Sequence, residues 1–475
     1  MNQNYPFTAQ DLLAGVEKMN SFGTRPTGSP AHNAFIGYLK DEIHAMGLET
    51  RVNNYNFDRW QAKRTALTLL TDNGPEEIHV SSPFPYSGET TPFGVTGELV
   101  HLVGKHINYG LAHKKIAVVK VKDFKSTYSG VAFNQKNAFP EGTTIPKYYK
   151  GPVASAFVKF PFLSLAAKVG VKGVIVIWED MSDAMVEGQY LNFILDYQGI
   201  PAVWVNSHDG EKVMQAALRH DCANLVLEAE KEPAAHSESF CTIIEGKKKD
   251  EAIIINSHTD GVNCVEENGP LAMLQMIKYF KDRTPERTLI FAFVTGHFRL
   301  PHFKKPGAVS DQASSRWMYD NKDLWDGKNG HIKAVAALTP EHLGCTEWKD
   351  VDGVYTKTNP IDLEEVYTGN NQMEKVYYDC VRDREHIRTV TLRGHNLLHF
   401  GEGQPFFNAG VPEISLVTSP DYLCVESPTH EMEKFDPELM YEQTVSFIRM
   451  AEMLNTMTAE EIGKADKYSF GIGKI

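Results

Sequence analysis

Little in this chain would hold it in a membrane, on nucleic acid or in an oxidising compartment. No apolar run among its 475 residues approaches the roughly 20 needed to cross a bilayer. The N-terminus, MNQNYPFTAQDLLAG, lacks the charged segment and following apolar segment of a secretory leader, so a cytoplasmic location and no membrane partner are expected. Lys and Arg number 48 against 61 Asp and Glu, a net charge of -13, and a phosphate-binding protein normally shows the opposite excess. The one short basic run, Lys247–Lys249, reads as a solvated turn, and no nucleic-acid partner is expected. The six cysteines (Cys222, Cys241, Cys264, Cys345, Cys380 and Cys424) show no Cys-x-x-Cys spacing, and several lie in apolar strand contexts. Neither a zinc–cysteine cluster nor a disulfide framework is indicated, and all six are read as free thiols.

A composition of 42% hydrophobic and 23% charged residues is that of a soluble globular protein. The length exceeds one ordinary core, so two or three domains are expected.

The chemistry-bearing residues concentrate between Glu251 and His302. Glu251–Asn256 and Thr288–Val294 are short runs rich in Ile, Phe and Val, as in strands buried on both faces. Between them, Asn268 is placed to cap a helix with Pro270 in its first turn, and the pattern stops near Thr284–Pro285. This is a βαβ unit. In an open parallel sheet the functional crevice lies at the carboxyl ends of the strands, and the two loops there carry His258, Asp260, Glu266, Glu267, His297 and His302.

Towards the N-terminus, Ala9–Ser21 has helical periodicity, the loop FGTRPTGSP breaks it, and Ser29 with Pro30 opens a second helix that Gly47 stops before a strand Leu48–Phe57. In that loop Arg25, Thr27 and Ser29 read as a turn docking two helices. From residue 85 to residue 235 the texture changes to short strands and glycine turns (GVTGELVHL, KKIAVVKV, KVGVKGVIVIWED, GIPAVWVNSHDGEKV), a smaller α/β unit with its own core and no catalytic pattern. Lys333–Leu338 is a further buried strand ending in TPEHLGC; Glu413–Thr418 is the last strand, and Asp436 with Pro437 caps the closing helix. His395 and His399 fall in RGHNLLHF, where a strand would put them on one face. His430 and Glu431 read as surface residues ahead of the closing helix.

The opening FGTRPTGSPAHNAFIGYLKDEIHAMGLET, the His-x-Asp at His258–Asp260, the acidic-Asn-Gly at Glu267–Gly269 and the acid-x-x-Gly at Glu341–Gly344 together resemble the zinc-dependent aminopeptidase and glutamate carboxypeptidase-like family. The segment of residues 85–235 is similar to the protease-associated domain inserted in several of its members. The resemblance implies an α/β fold with a mixed, mostly parallel sheet flanked by helices, built from residues 1–84 and 236–475 and interrupted by that insert.

It also implies a ligand set. His258 matches the first metal ligand and Asp260 its orienting partner; Glu267 matches the bridging carboxylate, with Glu266 beside it as a substitute; Glu341 matches the strand-end acid. Three segments depart. Gly296-His297-Phe298 stands where Gly-Glu-Glu is expected, exchanging the general base for His and a second-metal ligand for Phe, and Glu426 stands where a C-terminal His is expected. Gly401-Glu402-Gly403 replaces a Ser-Asp-His triplet. These exchanges point to one divalent ion rather than two, with zinc first and manganese or iron also suited to a His-plus-carboxylate set.

His297 is then either a fourth ligand or the group that takes the proton from water, its unperturbed pKa being near ~6.5. Glu266, Glu426 and His342 are the other candidates for a base. Arg299 and His302, next on the loop, offer either a grip on a substrate carboxylate or a solvated loop. The function expected is metal-dependent hydrolysis of a peptide or other amide bond, an ester or small-molecule substrate being compatible with the altered base. The alternative is a peptidase-like binding or scaffold protein without turnover. Oligomeric state is left open.

Overall fold

The computed structural model describes residues 5–103, 107–128, 135–153, 155, 161–303, 305, 307–426 and 431–467. Its centre is a mixed, mainly parallel sheet between two layers of helices. The strands Lys248–His258, Arg287–Val294, Lys333–Glu341 and Glu413–Val417 run parallel as neighbours. The register sets His258 beside Val294 and Glu341 beside Val417, so four strands end at one level and their loops leave from one edge.

These strands are continuous apolar runs because both faces are covered. In Ile253-Ile254-Ile255 the alternation of side chains sends Ile253 and Ile255 to one core and Ile254 to the other. The first core is closed by the helices Ala9–Asn20, Pro30–Ala45, Gly269–Phe280 and Pro437–Thr456, the second by Ala313–Asp320. A fully buried Ile contributes about 1.5–3 kcal/mol over an exposed one, which makes these strands the rigid base of the loops they carry.

The helix starts follow local chemistry. Thr8 and Asp11 form a reciprocal capping box, Ser29 accepts from the His32 N–H ahead of Pro30, and Asp436 accepts from Glu438 and Leu439 N–H. Asn268 departs from expectation. Its side chain makes no cap; instead Nδ2 donates to the carbonyls of Cys264 and Leu343, and Oδ1 accepts from Leu343 N–H at 2.9 Å. It thereby ties the Glu266–Glu267 loop to the chain just past Glu341.

Expected from Leu48 to Phe57, the first strand runs from Thr50 to Thr71 and pairs antiparallel with Cys222–Ile244. This long ribbon crosses the expected boundary at residue 235 without interruption. Beyond it, Val95–Leu102, Ile116–Val121, Gly173–Trp178 and Ala202–Val205 form a parallel extension of the same sheet. An apolar cluster of its own includes Leu99, Val118, Ile175 and Val203. Between its second and third strands the chain crosses to the far edge of the central sheet, where Gln135–Phe139 pairs antiparallel with Thr389–Arg393.

No helix among the described residues is long and apolar enough to cross a membrane, and the six cysteines are unpaired. His395 and His399 lie past the end of the strand Thr389–Arg393 rather than within one, both buried. His430 lies outside the described residues. Glu431, expected at the surface, is 3% exposed and paired with Lys434, because a left-handed backbone (φ 64°) turns it inward.

Candidate metal centre and active site

His258 is the last residue of its strand. Its Nδ1 hydrogen-bonds the Asp260 carbonyl at 2.9 Å; a carbonyl only accepts, so the proton resides on Nδ1 and Nε2 carries a lone pair. His342 is arranged alike, with Nδ1 at 2.7 Å from the Thr418 carbonyl and a backbone φ of 54° that turns its side chain inward just past the strand end. Glu341 Oε1 accepts the main-chain N–H of Glu402 at 2.7 Å. Glu266 stands in the loop after His258, its Oε1 3.9 Å from His297 Nε2 and its Oε2 3.8 Å from His342 Nε2.

Four buried atoms, His258 Nε2, His342 Nε2, Glu266 Oε2 and Glu341 Oε2, have no hydrogen-bond partner among the described residues. Donor atoms of His258, Glu341 and His342 lie within 4.8 Å of one another, as do those of His258, Glu266 and His297. Each unpartnered buried acceptor costs about 1–3 kcal/mol, so lone pairs gathered around His258 in this way call for a positive charge. Burial lowers both imidazoles, His342 to about 3 and His258 well below its ordinary value. It also raises both carboxyls, Glu341 to about 8 and Glu266 well above the carboxylate range. Neutral imidazoles with carboxylates seeking a cation are the donor set of a divalent metal, and the residues fit such an ion.

His297 lies flat on His258, ring centroids 4.1 Å apart and planes 13° from parallel. Its Nδ1 is 2.7 Å from Glu402 Oε1. Burial alone would lower its pKa, but the hydrogen bond and charge of Glu402, with Glu266 and Glu341 behind it, raise it to about 9. Glu402 accepts Ala313 N–H at 3.3 Å and Ser314 N–H at 2.6 Å, at the start of the helix Ala313–Asp320, whose positive end favours a buried carboxylate. Gly401 makes room for this: with φ 78°, any Cβ there would come within 2.5 Å of Glu341 Oε2.

Of the expected site residues, the structure brings together His258, Glu266, His297 and Glu341, and adds His342. Asp260 acts in an unexpected way: its main-chain carbonyl orients His258, while its carboxylate accepts from Thr27 Oγ1, Gly296 N–H (3.3 Å) and Phe298 N–H (2.9 Å). That carboxylate shapes the loop bearing His297.

Glu267 stands outside both donor groups. It is paired with Arg25, itself fully buried and donating also to the carbonyls of Met19, Gly23 and Asn263. Burial raises Glu267 to about 7 despite Arg25. Arg25 and Thr27, expected to do no more than dock two helices, therefore brace the loops of the centre. Glu426 is also outside the donor groups; its main chain pairs with Gly188, and burial raises its carboxyl.

Phe298 stacks on Phe193 at 4.3 Å. Phe193 belongs to a segment of the 85–235 region that docks through Tyr190 N–H on the Cys424 carbonyl and Gly188 on Glu426.

Searches with family models and with curated protein sequences find no match. Solved structures do match. A zinc aminopeptidase from Bacillus subtilis superposes with a TM-score of 0.63 at 17% identity, over 97% of this chain and 98% of its own. A peptidase M28 precursor from Shewanella amazonensis gives 0.63 at 14% identity over 95% of each chain. An aminopeptidase from Aneurinibacillus gives 0.59 at 16%, over 94% and 93%.

The fold is that of the zinc aminopeptidases. The zinc-aminopeptidase fold thus spans nearly the whole chain, as the resemblance implied. Two features of the site were not read from the sequence. Glu402 was noted only as part of a replaced triplet, although an acid between two glycines beside the last strand was the available signal; His342 was weighed as a base, and its place next to Glu341 was the signal for a ligand.

Proposed function

We propose that this chain is a metal-dependent hydrolase of peptide or related amide bonds, holding one divalent ion, zinc first, on His258, Glu266, Glu341 and His342. The observation that carries the reading is that four buried lone-pair atoms lack a hydrogen-bond partner among the described residues and belong to two groups of donor atoms that share His258. Support for one ion comes from Glu267, whose charge is already answered by Arg25, and from Phe298, a hydrocarbon at a position where the resemblance expects a ligand. The structural neighbours, a zinc aminopeptidase and other peptidases, agree with zinc and with peptide substrates.

When bound, such an ion polarises an amide carbonyl and acidifies water. The chain's own residues do the remaining work. His297, held protonated by Glu402 and the acids behind it, carries at Nε2 a proton for the departing amine, while Glu402 holds Nδ1–H and with it the ring orientation, as an oriented general acid requires. Phe193 and Phe298 exclude water from one side of His297. Asp260 keeps the loop in place through two main-chain N–H groups.

The test is elemental analysis of protein purified without chelator, alongside a screen of peptide, N-acyl and ester substrates. About one ion per chain, lost in His258→Ala, with turnover that falls in His297→Ala, is expected. No metal in the wild type, or metal unaffected by His258→Ala, would refute the centre, and metal without turnover on any amide would leave a binding protein instead.

A further inference from the structure

Arg299 is unlike the other deeply buried arginines. Arg25 and Arg287 each place several N–H groups on carboxylates and carbonyls. Arg299, with a side chain only 1% exposed, donates from Nη1 to the Leu195 carbonyl at 2.9 Å and lies over the Tyr86 ring at 3.4 Å. Its Nε and Nη2 have no hydrogen-bond partner among the described residues. A guanidinium offers five donors in a planar fork matched to a carboxylate, so a buried one using a single nitrogen is incomplete.

The nearest anion is Asp196. One oxygen, Oδ1, is 3.7 Å from Arg299 Nη2 and 3.2 Å from His302 Nε2. Asp196 is also the most exposed member of the trio, its side chain 67% accessible against 27% for His302. A carboxylate thus already sits between a guanidinium and an imidazole at a place solvent reaches, too far from Arg299 to hydrogen-bond. The trio adjoins the proposed reaction centre: Arg299 is two residues from His297, and Phe193, three before Asp196, lies 5.7 Å from the His297 ring. Tyr190 and Phe298, 5.5 Å apart, continue this aromatic surface.

We propose that Arg299 and His302 form a subsite for a substrate carboxylate, covered in this structure by the chain's own Asp196, and that the substrates are amides of amino acids with a free carboxyl group and an apolar side chain. The substrate carboxylate displaces Asp196 and takes the unused Nε and Nη2 donors, and the apolar side chain meets Phe193 and its neighbours. This rests on the hydrolase reading for the fate of the amide, but binding can be measured without turnover.

The experiment is calorimetric titration of the metal-loaded protein with N-acetyl-L-phenylalanine and, separately, with its amide. The acid is expected to bind about tenfold more tightly, as one charge-assisted hydrogen-bonded pair provides. Arg299→Gln should abolish that preference, His302→Gln should reduce it, and Asp196→Asn should tighten the acid while leaving the amide unchanged. Equal binding of acid and amide by the wild type, no binding of either at millimolar concentration, or a preference that survives Arg299→Gln overturns the proposal. Should Arg299→Gln fail to fold, an acid preference unaltered in both His302→Gln and Asp196→Asn overturns it. Intact acid preference in a protein that hydrolyses no amide would refute the hydrolase reading and leave the subsite standing.

Discussion

Glu402 accepts from His297 Nδ1 at 2.7 Å, and the same residue's N–H holds Glu341 at 2.7 Å. One residue therefore sets both the proposed proton carrier and a proposed ligand, through different atoms. The two roles separate by mutation. Glu402→Gln keeps the backbone contact to Glu341 but removes the charge facing His297, so turnover should fall by about 10²-fold or more while metal content stays near that of the wild type. Steady-state kinetics paired with elemental analysis checks this; equal activity in the variant would remove Glu402 from the mechanism.

A cation on four lone-pair atoms should stabilise the fold as well as serve chemistry. At free metal a thousandfold above Kd, linkage gives about 4 kcal/mol. Chelator should therefore lower the melting temperature, and zinc should restore it. In His342→Ala the response should shrink, and in His258→Ala it should vanish. Identical melting with and without chelator in the wild type would count against the centre.

Arg25 and Glu267 are both fully buried, so removing one partner strands the other. Arg25→Met should cost roughly 3–5 kcal/mol, whereas pairing it with Glu267→Leu should recover much of that loss. Urea unfolding of the two single variants and the double variant measures the coupling. Additive losses would mean that the pair does not act as a unit.

His32 is fully buried; Gly28 N–H donates to its Nδ1, and Nε2 lies 2.8 Å from Thr259 Oγ1. Burial lowers its pKa to about 4 from 6.5. The unfolded chain therefore binds the proton first on acidification: stability from this group is whole above pH 6.5, declines as pH falls, and is gone once pH passes about 4. Between pH 7 and pH 5 the loss should be roughly 2 kcal/mol. Chemical denaturation at the two pH values should show that difference reduced in His32→Gln; an unchanged difference would place the acid sensitivity elsewhere.

Strand ends were the most legible part of the site. A run buried on both faces announces itself by composition, and the residue where it stops lies at the sheet edge, which is how His258, Glu341 and His297 could be placed without coordinates. What a neighbouring side chain does is set at longer range. Glu266 and Glu267 are adjacent and chemically alike, yet one joins the centre and the other is claimed by Arg25, 242 positions earlier. His342 turns inward through a left-handed backbone that no side-chain pattern reveals. Glu402 depends on where the helix Ala313–Asp320 begins. The first strand was read short because past Phe57 its sequence becomes a polar alternation; only its partner Cys222–Ile244 makes it a strand as far as Thr71.

That ribbon also sets the order of events on the ribosome. Thr50–Thr71 meets its partner only after about 150 more residues have been made, which takes roughly 10–30 s at ordinary elongation rates. For that interval only Leu67–Thr71 has a hydrogen-bonding neighbour, the adjoining Gly74–Ile78, and the N-terminal helices have no central sheet to settle on. The intervening parallel strands are the first large structure that can close, so the centre, whose residues all follow Ile244, is assembled last.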